Sequence, residues 1–93
     1  MLDKIKKRCG IAVRITTHDD EVKDYIADCV QDMIASGVPA QIALAEDDER
    51  VLTAITCYVK AYIGDDRSDT EKYLSLYQKK VFRLALEGDE DVE

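Results

Sequence analysis

The chain has no tryptophan, one phenylalanine, one histidine, one proline and four glycines among its 93 residues. Each scarcity removes something. A lone His18 leaves no histidine-rich metal set, and no nucleophile with a base beside it can be assembled around it. The four glycines are scattered, so there is no glycine-rich loop to cradle a phosphate. No apolar run approaches the roughly 20 residues that span a bilayer, and the N-terminus lacks the apolar region of a signal peptide. A cytosolic protein with no membrane contact is the expectation. The three cysteines, Cys9, Cys29 and Cys57, are odd in number and lack CxxC spacing. They read as buried free thiols that pack as small apolar residues, and no metal or other cofactor is expected.

What the chain has in excess is acid. Twenty Asp and Glu against thirteen Lys and Arg give a net charge of -7, which opposes nucleic-acid binding by the surface as a whole, because that mode needs cations to displace phosphate counterions. Two local basic groups remain: Lys4, Lys6, Lys7, Arg8 and Arg14 near the start, and Lys72, Lys79, Lys80 and Arg83 near the end. A length of 93 residues has room for one domain, 1–93, with a modest core that a larger assembly can complete.

The apolar residues follow helical spacing almost throughout. Glu49 to Gly64 is the most apolar stretch: Val51, Leu52, Ile55, Tyr58, Val59, Tyr62 and Ile63 form a broad stripe that Ala54, Cys57 and Ala61 widen. Such a helix needs partners on at least two sides, so it is predicted to be central. Leu2 to Cys9 is predicted as two turns of helix ended by Gly10, followed by a short extended linker over Ile11 to Ile15. Thr17 is a candidate N-cap for a second helix in which Val22, Tyr25, Ile26, Cys29, Val30, Met33 and Ile34 face inward while Lys23, Asp24, Asp28 and Asp32 face solvent. Gly37 and Pro39 mark its end. Val38 to Glu46 has no clean period and reads as a loop or short turn. Asp47 or Asp48 caps the central helix, Gly64 closes it, and Asp65, Asp66 and Arg67 form a polar turn.

Ser68 and Glu71 match a capping box that opens the last helix, with Tyr73, Leu74, Tyr77, Val81, Leu84 and Ala85 inward and Lys72, Ser75, Lys79, Lys80 and Arg83 outward. The acidic segment 87–93 is predicted to fray. The fold class is therefore all-α: a small bundle of four helices, one short at the N-terminus and three longer, the last two an antiparallel hairpin. That pairing sets Tyr62 by Tyr73 and Leu74, Val59 by Tyr77, and Leu52 by Leu84. The tyrosines suit a helix seam better than a base-stacking platform.

No catalytic constellation emerges. The carboxylates sit at caps and solvent faces, and neither Asp47, Asp48 and Glu49 nor Asp65 and Asp66 have the ligand spacing of a calcium loop. The residues point to an acidic helical module that works by contact.

The order RITTHDDEVKDYI, DMIASGV, AITCYVKAYIG and EKYLSLYQKKVFRLALEGD resembles the head-tail connector family of tailed phages and prophages, also described as head-completion or DNA-packaging proteins. The resemblance runs from about Leu2 to Asp89. Its most telling parts are Arg14-Ile15-Thr16-Thr17 leading into Asp19-Asp20-Glu21, and Tyr58-Val59-Lys60-Ala61 leading to Gly64. His18 stands where relatives often have an aromatic residue, and the Pro39 to Asp48 loop is longer and richer in alanine. The resemblance implies no enzyme. It implies a structural virion protein at the head-tail junction, assembled in the host cytoplasm, that binds the portal protein after DNA packaging. There it forms a homo-oligomeric, dodecameric ring and receives the tail or a second connector protein. In solution the chain is expected to be monomeric or weakly associated, and contact with packaged DNA is in passing. The partner-binding residues are expected in the last helix and its tail: Lys79, Lys80, Arg83, Glu87, Asp89, Glu90 and Asp91. The alternative reading is a small helical DNA-binding regulator that uses one of the basic groups, against which the net charge weighs.

Overall fold

Eight of the fifteen residues of the helix Glu49–Ile63 are buried, and they lie on more than one of its sides. It is the core of the molecule, as its breadth of apolar surface requires. The computed structural model describes residues 1–63 and 67–91, and for residues 67–68 and 87–91 the backbone alone. Within these, the elements are α1 (Leu2–Arg8), α2 (Asp19–Ala35), α3 (Ala40–Ala43), α4 (Glu49–Ile63) and α5 (Arg67–Asp91), with no strand among the described residues. α4 packs against α1, α2 and α5, and the one-turn α3 packs on α2. Ile5, Val22, Cys29, Met33, Leu52, Ile55, Val59, Tyr77, Val81 and Leu84 meet in one cluster to which α1, α2, α4 and α5 all contribute.

Local chemistry sets the ends of these helices. Gly37 has φ +104° and follows the last turn of α2, where its amide donates to Ile34 O and the Val38 amide donates to Met33 O. These two bonds satisfy carbonyls that would otherwise be left open, and Val38 packs down beside Met33, both fully buried. Gly10, at φ +78°, repeats the arrangement after α1, with the Ile11 amide donating to Lys6 O. At the other polarity, Asp48 caps α4 by accepting the Arg50 amide at 2.9 Å.

α4 and α5 are antiparallel: the Thr70 hydroxyl donates to Ala61 O at 2.7 Å, Lys60 lies over the Tyr73 ring, and Tyr58 meets Tyr77 edge-on at 5.1 Å. Tyr62 stacks on Tyr25 of α2 and against Tyr58. The tyrosines thus pack on one another, as a helix seam uses them. α2 runs parallel to α5, since Asp32 meets Tyr77 and, further along both helices, Gly37 lies against Ala85.

Several sequence expectations need correction. Thr17 does not cap α2: the helix begins at Asp19 with His18 in the cap position and no side-chain cap, because the Thr16 carbonyl accepts the Asp19 amide and closes a turn before the helix. The segment Ile11 to His18 is not extended but makes two such turns, the other closed by Ile15 N to Ala12 O. The stretch after Pro39 forms α3. α5 begins at Arg67 and continues to Asp91, past the predicted fraying point at Glu87, since a single Gly88 costs a helix only about 1 kcal/mol. The Gly64 to Asp66 turn and the Ser68 side chain of the proposed capping box lie outside the described residues.

Candidate functional site

The basic N-terminal group is dismantled by folding. Lys6, a member of that group, is buried with 1% of its side chain exposed, and its ammonium donates to Val13 O at 2.9 Å and to Ile15 O at 2.6 Å. Asp19 Oδ1 lies 2.7 Å from the same nitrogen. That oxygen is buried and has no partner of hydrogen-bond geometry, so the ion pair alone compensates it. Lys6 was not legible as buried because Ile5 and Cys9 already account for the apolar side of so short a helix. Lys4 pairs with Asp47 at 3.0 Å, and Arg8 pairs with Glu49 and reaches Thr53. Three of the five basic residues of this group, one of the two groups open to the regulator reading, are therefore engaged within the chain. Because Lys6 holds the carbonyls of Val13 and Ile15 inward, those side chains are exposed, with Arg14 between them.

The predicted partner-binding residues divide. Lys80 and Arg83 line an open cleft of about 360 Å³ together with Glu49, Arg50, Thr53 and Leu84, where the start of α4 meets the second half of α5. Among the described residues neither Lys80 nor Arg83 has an ion-pair partner. The Arg50 side chain returns to Asp48, and this hydrogen bonding holds the Asp48 carboxyl below its usual range. Lys80 is half-buried rather than outward, while Lys79 is exposed and borders a second groove with Ser75, Gln78, Phe82 and Arg83. Glu87, Asp89, Glu90 and Asp91 continue the helix beyond the cleft, and their side chains lie outside the described residues.

The surface also presents side chains the sequence reading passed over. Phe82 is 65% exposed and Leu86 46%, on the side of α5 turned away from α4. The signal was present: Phe82 and Leu86 fall outside the Tyr73, Leu74, Tyr77, Val81, Leu84 stripe and share a face with Lys79.

The thiols of the three cysteines are all shifted by their surroundings. Burial pushes the Cys29 thiol up to about 12 and raises Cys9 and Cys57 as well, keeping all three protonated and weakly nucleophilic at neutral pH. Cys29 and Cys57 are buried as expected, whereas Cys9 is half-buried at the end of α1. Among the described residues no group of three or more His, Cys, Asp or Glu side chains could hold a metal ion, and no helix is long and apolar enough to cross a membrane.

Compared with known families, the chain matches the model of the phage connector protein family over residues 1–91. It belongs to that family. No curated protein and no solved structure matches it. The match covers all five helices, so the paired N-terminal basic residues, the Lys80 and Arg83 cleft and the Phe82 face are all features of a phage connector chain. The all-helical fold expected from the periodicity is the fold found.

Proposed function

We propose that this connector is a structural component of the virion that binds the portal ring at the capsid vertex after DNA packaging. It assembles there as a matching ring and offers the attachment site for the tail or a second connector. Assembly takes place in the host cytoplasm and the product resides at the head-tail junction. The observation that carries this reading is the family match over residues 1–91. The docking segment is the second half of α5 together with the acidic C-terminus. Lys80 and Arg83 open toward solvent in the cleft beside α4, Lys79 lies on the outer side, and Glu87, Asp89, Glu90 and Asp91 add acid beyond them. Such a segment, basic then acidic, suits charged partners on either side.

No reaction step is assigned to the chain. Its net charge of -7 serves the passage of DNA, because an acidic lumen repels phosphates and lets the duplex pass without sticking. Co-sedimentation of the purified chain with purified portal rings tests the reading. Binding that is lost in Lys80→Glu, Arg83→Glu is expected; no binding by the folded parent chain would remove it.

A further inference from the structure

On α5, the residues opposite the buried side are Lys72, Ser75, Lys79, Phe82 and Leu86, all exposed. They are spaced alternately three and four residues apart, the spacing that lays a straight seam along a helix for a partner helix to meet. On α2, Asp20, Asp24, Ala27, Gln31 and Ala35 are likewise all exposed and follow the spacing four, three, four, four. Among the described residues no other part of the chain covers either seam, and every residue of both is exposed.

The two seams complement one another when laid parallel. With Lys72 set beside Asp20, Lys79 falls level with Ala27, within reach of Asp24 and Asp28. Further along, Phe82 and Leu86 come over Gln31 and Ala35, whose flexible or small side chains leave room for a large apolar one. Laid antiparallel, the lysines would face the alanines and the apolar pair would face the aspartates, so the parallel register is the one that matches both charge and size.

We infer that the outward seam of α5 in one copy seats on the outward seam of α2 in the next copy of this chain. The inference rests on the proposal that copies assemble side by side, and it names the faces that meet. Its geometry is self-consistent. Within one chain α2 and α5 already run parallel, and a rotation about an axis along those helices preserves their direction, so each copy presents α2 to its neighbour's α5 in the parallel sense. The contact is head-to-tail, with a different surface used on each side, and can repeat from copy to copy until it closes. A two-fold pair about an axis across the helices would reverse the direction and lose the match.

The test uses charge reversal at exposed positions, with circular dichroism to show that every variant is folded. Sedimentation equilibrium of the full chain up to high protein concentration, at low and raised salt, should show weak self-association, and the difference between the parent and the charge-reversed chains should shrink as salt rises. Lys72→Glu, Lys79→Glu and, separately, Asp20→Lys, Asp24→Lys should each weaken it by at least about tenfold. An equimolar mixture of the two folded variants should associate again, because each then finds the opposite charge on its neighbour. Phe82→Ala should weaken association without altering its salt dependence. A parent chain that sediments as a monomer throughout, a reversal that leaves association intact, or a mixture that stays monomeric would each overturn the interface. Portal binding by the same samples is a separate measurement: a chain that binds portal but fails these tests rejects this interface and leaves the connector reading standing.

Discussion

Lys6 Nζ lies 2.7 Å from Asp19 Oδ1 in a setting that leaves 1% of the lysine side chain exposed, and the same nitrogen reaches the carbonyl oxygens of Val13 and Ile15. Two of the ammonium's three donors are taken by the carbonyls, and Asp19 supplies the opposite charge. The pair ties the end of α1 to the start of α2 and fixes the turns between them. A buried ion pair of this kind does not add much stability over a well-packed apolar pair, but breaking it from one side is costly.

Lys6→Met should therefore destabilise by about 2–3 kcal/mol, toward the low end for a broken buried pair because the Asp19 side chain is 22% exposed, since it leaves one buried carboxylate oxygen without its counter-charge and two carbonyls without their donor. The double variant Lys6→Met, Asp19→Ala should lose clearly less than the sum of the two single changes. Urea denaturation of the three variants measures this; strict additivity would show that the two groups act independently.

Ile55 is fully buried at the middle of α4. Ile55→Asp places an unpaired charge there, at a cost of several kcal/mol against a total stability of about 5–10 kcal/mol for a domain of this size. The variant should be unfolded at room temperature. A cooperative thermal melt by circular dichroism near that of the parent would show that Ile55 is not core.

The helical register and the core were legible because they depend on side-chain periodicity: Cys29, Met33, Leu52, Ile55, Val59, Tyr77, Val81 and Leu84 were placed inward by spacing and are buried. The stop at Gly37 was legible because its backbone conformation favours glycine there. Lys6 and Thr17 were not, because their fates depend on contacts across the chain. Lys6 is buried by residues seven to thirteen positions away, and Thr17 is bypassed by a turn that closes on Thr16. The same limit applies to the site. Lys80 and Arg83 could be chosen as basic residues of one helix, but their meeting with Arg50 and Thr53 follows from how α4 and α5 cross.

Stability should fall at alkaline pH. The Cys29 thiol ordinarily titrates near 9.0 and is pushed up to about 12 by burial, so between these values the unfolded chain gives up a proton that the folded chain keeps. Folding is then disfavoured progressively, by about 1.4 kcal/mol per pH unit from this group; its contribution is complete below pH 9 and is lost as pH rises toward 12. Tyr77, raised by burial and by its hydrogen bond to Asp32, adds a similar loss above pH 10. Cys29→Ala should flatten the decline between pH 9 and 10, seen in urea midpoints at each pH. An unchanged slope would assign the decline to other groups.

The paired state of Lys4, Lys6 and Arg8 predicts weak, sequence-independent binding to duplex DNA, confined to low salt. Fluorescence anisotropy with random duplex checks it. Submicromolar affinity at physiological salt, or a sequence-specific footprint, would move the balance to the regulator reading.

Assembly should depend on the portal. The chain carries a net charge of -7, so copies in dilute solution repel one another overall, while its four longer elements already bury one shared core without a partner. A template of fixed symmetry overcomes that repulsion by holding copies side by side, where short-range contacts act. The acidic run from Asp89 to Glu93 makes no part of the described core, so its removal should leave the thermal melt unchanged. Light scattering of the full chain and of the chain lacking Asp89 to Glu93 should give a monomer, or at most weak association, for each at low concentration. With purified portal, the full chain should co-sediment in a fixed ratio and the shortened chain should bind at least about tenfold more weakly, if the acidic end seeks basic portal residues. Equal binding by the two forms would remove the tail from the docking segment and leave Lys79, Lys80 and Arg83 to carry it.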